Sequence, residues 1–299
     1  MKYSDFVSAT TEEVRRLAGK DMRVEFHAAK KNNGKERIGI AICSQESNVT
    51  PAIYLEEYYK MYQLGNTIAE IAHLIIKLYG EVKLTKPWNV ERYREYDWVR
   101  VRLVSKLINY GKNKGLLKEC PHRRYLDLAI VYYLLIEETP QGTATMLVKN
   151  EHMEAWGVAE NALYKEAMEN AERLLPARLQ SMTSVMEELI NEKVIEDKEC
   201  EKLELEDAMY VLTNIHRNLG ANCILYQGEL KRIAKCFRES YYILPSSIHE
   251  VIIVPVSKSP TKEELETMIE EINETQVEDE EILSNHAYFY DIKRETLLY

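Results

Sequence analysis

Nothing in the chain matches the short patterns that announce common chemistries. There is no Gly-x-Gly-x-x-Gly turn, no Walker loop and no Gly-x-Ser-x-Gly elbow, so the usual phosphate cradles and the strained serine turn are missing. His249-Glu250 is followed by Val251-Ile252-Ile253, so the two-histidine zinc pattern fails at its second histidine. The five cysteines, Cys43, Cys120, Cys200, Cys223 and Cys236, form no Cys-x-x-Cys pair. That scatter argues against a structural zinc site and a disulfide framework, and predicts reduced thiols. No run approaches the roughly 18–20 apolar residues of a membrane helix, and Leu128–Ile136 is among the longest. The N-terminus lacks the apolar core of a signal peptide, being interrupted by Asp5, Glu12 and Glu13. A cytoplasmic location, no metal, no cofactor and no membrane partner are the resulting expectations.

What is present is an ordinary globular balance: 299 residues, 45% hydrophobic and 29% charged, enough for a substantial core. The charge is unevenly placed. Of the net −10, the stretch Lys262–Glu281 carries −9 from ten acids and one lysine. A second bias runs from Lys83 to Lys118, with ten Lys/Arg against three acids among Trp88, Tyr93, Tyr96, Trp98 and Tyr110.

Periodicity predicts hairpins alternating with helices. Thr10 and Glu13 suit a capping box opening a helix through Val14 and Leu17. Met22–Lys30 alternates with Val24, Phe26 and Ala28 on one side, and Asn33-Gly34 turns it into a return strand at Arg37–Cys43. Helical stripes follow over Ile53–Gln63 and from Ile68 to Leu78. Trp98–Leu103 alternates as a strand, with Trp98, Arg100 and Arg102 on one face. Leu126–Ile136 is apolar on both faces and reads as a central strand, paired with Thr143–Lys149. Asn150 caps a short helical turn through Trp156, and a longer helix carries Leu163, Ala167, Ala171 and Leu174. Past Pro176, Leu179, Met182, Met186, Leu189 and Ile190 make a stripe, and Asn191–Asp207 reads as a charged linker. Met209–Thr213 and Ala221–Tyr226 read as a hairpin, followed by a helix with Leu230, Ile233, Ala234 and Phe237. A last helix starts at Ser259-Pro260 or at a Thr261–Glu264 box, and His286–Tyr290 with Thr296–Tyr299 closes the chain. The expected fold class is α+β, of repeated β-hairpin–helix units with largely antiparallel sheets and helices packed on one face. The expected segments are 1–82, 83–205 and 206–299, packed as one body.

The blocks KKNNG at 30–34, PAIYLEEYY at 51–59, LINY at 107–110, PHRRYLDLAIVYY at 121–133 and NEHMEAWG at 150–157 occur together with MYVLTN at 209–214, ILY at 224–226, YYILPSSIHEVIIVP at 241–255 and LSNHAYFYD at 283–291. This combination resembles a clostridial family of uncharacterised proteins, domain of unknown function 5688. The resemblance covers nearly the whole chain and implies a bacterial cytoplasmic protein. It supplies no catalytic roles.

Function then rests on the residues. Tyr241–Ser257 is a strand pair meeting at Pro245-Ser246-Ser247, with Ser246, Ser247, His249 and Glu250 polar at its tip. A hydrolase or transferase using one of the serines with His249 as base and Glu250 as orienting group is one reading. Asn150, His152 and Trp156 at a helix start are candidate binding residues, as is Asn214, in the event that it converges with His249. Trp98, Arg100 and Arg102 are the candidates for single-stranded nucleic acid, since cations interleaved with aromatics suit stacked bases. The acidic pI of about 5.4 opposes nucleic acid. The favoured expectation is a non-enzymatic binding or regulatory module with a protein partner.

Overall fold

The structure is a computed structural model that describes residues 1–19, 21–44, 50–82, 90–139, 142–191 and 207–299. It divides into two compact units, Met1–Glu95 with Thr139–Gly142, and Tyr96–Glu138 with Thr143–Tyr299.

The first unit contains α1 (Tyr3–Ala18), β1 (Met22–Lys30), β2 (Glu36–Ser44), β3 (Ala52–Tyr54), α2 (Glu56–Gln63) and α3 (Ile68–Val82). β1 and β2 pair antiparallel over their whole length. Asn33 and Gly34 both take positive φ at the turn, 59° and 71°, which is why that dipeptide reverses the chain. Val24 is buried, whereas Phe26 is 57% exposed, so the predicted inner face of β1 is only partly covered. The capping box expected at Thr10 and Glu13 is absent. α1 begins a full two turns earlier, Thr10 is wholly buried inside it, and Glu13 accepts from Arg16. Packing overrides the local signal here, because the Phe6 ring lies 5.2 Å from Tyr59 and 5.4 Å from Tyr62. The helix expected from Ile53 starts only at Glu56, since Ala52–Tyr54 pairs with Gly39–Ala41 as a third strand.

The second unit runs α4 (Tyr96–Arg100), β4 (Leu103–Asn109), β5 (His122–Tyr125), β6 (Leu128–Thr139), β7 (Gly142–Leu147), α5 (Asn150–Trp156), α6 (Glu160–Leu174), β8 (Ala177–Ser181), α7 (Met182–Asn191), β9 (Tyr210–Asn214), α8 (Glu229–Phe237), β10 (Tyr241–Leu244), β11 (Val251–Pro255), α9 (Lys262–Thr275), β12 (Tyr288–Asp291) and β13 (Thr296–Leu298). β6 is the central strand of one sheet, pairing β4, β5 and β7, and residues 128–132 and Leu134 are fully buried. The other sheet has the order β13-β12-β10-β11-β9-β8. Both sheets are antiparallel and the protein is α+β.

Both faces of β10 and β11 are apolar, and both are used. Leu244 and Val254, with Tyr242 and Ile252, pack against Leu265 and Ile269 of α9. The opposite face meets α8, where Phe237 lies 4.8 Å from Tyr210 and 6.0 Å from Tyr241. Helical cover thus reaches both faces of this sheet, which is what a strand pair without a polar face requires.

Three local expectations change. Trp98–Leu103 is not a strand: α4 occupies Tyr96–Arg100, and buried Asn170 donates to the carbonyls of Arg100 and Leu103, at 2.6 and 3.0 Å, where the chain turns into β4. Ala221–Tyr226 is not the second arm of a hairpin, since residues 220–225 form a short 3-10 turn. Leu179 belongs to β8 and not to the helix that begins at Met182. The charged linker lies outside the described residues except at its ends.

Candidate functional site

The corner around the β10–β11 connection collects more of the candidate residues than any other. Its backbone is fastened by the segment before β12: Leu283 N–H donates to the Ser246 carbonyl and Ser284 N–H to the Pro245 carbonyl, both at 2.9 Å, and Ile248 N–H donates to Glu281 O at 2.9 Å. Ser247 is buried, and its Oγ accepts from the His249 N–H at 3.0 Å. The serine oxygen therefore caps the main chain. His249 uses both ring nitrogens. Nδ1 accepts from the Leu219 N–H at 3.3 Å, which leaves the proton on Nε2, 3.2 Å from Glu281 Oε1. A serine nucleophile needs a base with a free lone pair aimed at its oxygen, and here that lone pair faces the Leu219 amide.

Glu250 is half-buried, and burial raises its carboxyl above the usual carboxylate range. His249 counters that effect, Glu281 reinforces it, and Arg217 counters it again. In place of a Glu250–His249 orienting pair, the carboxylate on the imidazole is Glu281.

The second half of the corner is the loop after β9. Asn214 is fully buried and organises it: Oδ1 accepts from the N–H of His216 at 3.0 Å and of Asn218 at 3.4 Å, and Nδ2 donates to Asn218 O at 2.6 Å. Thr213 Oγ1 donates to the His249 carbonyl at 2.8 Å. Arg217 and Leu219 take left-handed φ of 50° and 58°, a conformation that costs a branched or long side chain on the order of 1 kcal/mol or more. Gly220 has no room for a side chain, because a Cβ would overlap Thr213 Oγ1 and the His249 carbonyl oxygen. Arg217 is anchored by Glu188 and by Gln180 Oε1 at 3.0 Å. Glu188 Oε1 also accepts from Arg178 at 2.8 Å and Gln180 Nε2 at 2.9 Å.

Arg178, Gln180, Glu188, Arg217 and Glu281 are absent from the sequence-based candidates. The first two had a legible signal: in a strand, positions 178 and 180 share a face, but that run reads as helix once Leu179 is joined to Met182 and Met186.

The remaining candidates sit elsewhere in the second unit. Asn150 donates through Nδ2 to Lys118 O at 2.9 Å. His152 Nδ1 accepts from Lys149 N–H at 3.1 Å, its ring lies 5.7 Å from Trp156, and burial holds it below the ordinary imidazole range, with Glu151 opposing that effect and Lys149 adding to it. Asn214 and His249 thus share one network, while Asn150 and His152 are tied to residues 118 and 149. With α4 a helix, the basic-aromatic strand face does not form. Arg102 instead stacks on Trp98 at 4.1 Å, and Arg100 pairs with Asp97 at 3.1 Å and Glu166 at 3.3 Å. Lys83, Lys86 and Trp88 of that basic segment lie outside the described residues.

The surroundings of Cys120 and Cys223 disfavour the thiolate form. Burial pushes Cys120 up to about 11 and Cys223 up to about 12, although His122, Arg123 and Arg124 follow Cys120 closely in the chain. Cys236 is disulfide-bonded, so the expectation of reduced thiols throughout does not hold. Among the described residues no group of three or more His, Cys, Asp and Glu side chains is placed to hold a metal ion, and no helix is long and apolar enough to cross a membrane.

Compared with known proteins, residues 3–292 match the model of a family described as a family of unknown function, DUF5688. The chain belongs to that family. The match begins at the start of α1 and ends just past β12, so both compact units are family structure. No curated protein and no solved structure matches the chain. Family membership therefore carries no residue roles into the corner around His249.

Proposed function

We propose that the protein is a non-catalytic binding module whose acidic helix, α9, receives a cationic partner, a Lys/Arg-rich segment of another protein. The observation that carries the reading is the placement of glutamates on α9. Leu265, Ile269 and Asn273 face inward, and Glu263, Glu264, Glu270, Glu271 and Glu274 are exposed. The first two are explained by the helix itself. Glu264 closes a capping box, accepting from the Thr261 N–H at 2.9 Å, and acids suit a helix N-terminus. Glu270, Glu271 and Glu274 have no such explanation. They lie toward the negative end of the helix dipole, the last turn has no basic residue, and Glu266–Glu270 and Glu270–Glu274 are like charges four residues apart. Each such pair destabilises a helix by about 0.2–0.5 kcal/mol. A surface that repels itself is suited to a partner of opposite charge.

The fate of the hydrolase residues supports the same reading, since Ser247 Oγ and both nitrogens of His249 are engaged in holding the corner together. The test is binding of a fluorescent lysine-rich peptide to the whole chain at low and at physiological salt. Binding that weakens steeply with salt and is lost in a Glu270→Gln, Glu271→Gln, Glu274→Gln variant supports the module. Equal binding by that variant, or none at low salt, overturns it.

A further inference from the structure

The corner around His249 has a property that the binding reading does not use. The end of the 214–220 loop is held by Asn214 on residues 216 and 218, by Gly220 packed under Thr213 and the His249 carbonyl, by the backbone bond from Ala221 N–H to the Ile248 carbonyl, by Arg217 on Gln180 and Glu188, and by the Leu219 N–H on His249 Nδ1. Only the last depends on a proton. Because Nε2 carries the ring hydrogen toward Glu281, Nδ1 is the nitrogen with the lone pair, and the next proton can add only there. Once it does, two N–H groups face each other across 3.3 Å with no acceptor between them.

We propose that His249 is a proton-sensitive latch: its neutral Nδ1 holds Leu219 in the left-handed conformation, and protonation releases the end of the loop. Charged groups reach the ring from both sides. Glu281 faces the ring from the segment before β12, and Glu250, just before β11, is a carboxyl whose ionisation burial disfavours. Arg217, close enough to act on Glu250, opposes protonation from the loop, with Glu188 and Arg178 behind it. Thr213 and Asn214, at the end of β9, are uncharged. The closed loop accepts only the neutral ring, so closure and proton binding oppose each other. The loop is held while the ring is neutral and released when the ring gains its proton. Leu219 is the residue that moves first, because its φ of 58° is unfavourable without its hydrogen bond. Release loosens the chain next to Arg217 and with it the tie between this loop and Glu188.

The experiment is amide exchange and ring-nitrogen NMR on the whole protein across about pH 5.5–7.5. The expected result is that protection of the Leu219 amide falls by about tenfold or more toward low pH, while the amides of Val211 and Leu212 in β9 hold. The neutral His249 ring is expected as the Nε2–H form, titrating together with the Leu219 signal. His249→Gln is expected to remove the pH dependence. His216→Gln, which changes the imidazole inside the loop, is expected to leave it in place. Flat Leu219 protection in the native protein, or a ring titration that does not coincide with it, overturns the latch even where the glutamine variant does not fold. So does a pH response that survives in His249→Gln.

Discussion

Glu188 and the glutamates of α9 carry one functional group into opposite surroundings. The Glu188 side chain is 8% exposed, bridged to an equally buried Arg178 and to Arg217, with Gln180 on the same oxygen as Arg178. Glu270, Glu271 and Glu274 stand in water on one helix with like-charged neighbours. A buried carboxylate is tolerable only when its partners are in place, and removing one side strands a charge in a poorly solvated site. An exposed one interacts weakly through water and is screened by salt. Glu188 therefore holds structure, fixing β8, α7 and the loop after β9, whereas the α9 residues are free to be selected for a partner.

The comparison breaks most visibly at Glu188. Glu188→Ala removes the buried carboxylate that Arg178, Gln180 and Arg217 share and is expected to destabilise the protein by about 3–5 kcal/mol, read from denaturant unfolding of the whole chain. A loss below about 1 kcal/mol, the range of surface pairs, would place Glu188 with the α9 residues.

Glu250 sits between the two cases, half-buried beside both charges of the corner. Its carboxyl is raised by burial, so the native state holds that proton more tightly than the unfolded chain. Linkage then gives the sign: stability falls as pH rises from the ordinary carboxylate value, about 4.3, through the raised native value. Glu250→Gln, which is never charged, is expected to match the native protein below about pH 4 and to exceed it at neutral pH. Unfolding midpoints at the two pH values check this. An advantage of the same size at both would mean that charge burial is not the cause.

The smallest stability effect belongs to α9. Replacing Glu270, Glu271 and Glu274 by glutamine removes like-charge repulsion and is expected to raise stability by a few tenths of a kcal/mol, roughly 0.2–0.5 per pair relieved, while cationic-peptide binding is lost. A marked destabilisation would show that these side chains make contacts of the Glu188 kind.

The sequence carried the elements whose causes are local. Asn33-Gly34 permits positive φ in two consecutive residues, and the turn forms there. Thr261 and Glu264 satisfy each other's backbone within one turn, and α9 starts there. Leu128–Leu134 has no polar face, and Ile130, Val131 and the paired tyrosines favour the central strand that forms there. The tip at Pro245–Glu250 was legible as a polar end to an apolar strand pair, but its chemistry was not. Which carboxylate meets His249 depends on Glu281, 32 residues away, and which donor takes Nδ1 depends on a strained amide 30 residues back.

The same distinction explains the misread elements. Trp98–Leu103 alternates like a strand, yet Asn170, some 70 residues on, donates to the Arg100 carbonyl. Thr10–Glu13 offers a cap, but Phe6 pulls the helix start back to Tyr3 by packing on Tyr59 and Tyr62. By itself the sequence determined the Asn33-Gly34 hairpin, the strand pair buried on both faces, the capped acidic helix and the family, because backbone torsion and side-chain periodicity act over a few residues. Only the tertiary structure decided that Ser247 caps a backbone, that His249 lies between Leu219 and Glu281, and that Arg178 and Arg217 share the buried carboxylate of Glu188. Hydrogen bonds and desolvation depend on which distant groups are brought within about 3 Å of one another, and chain order alone does not specify that.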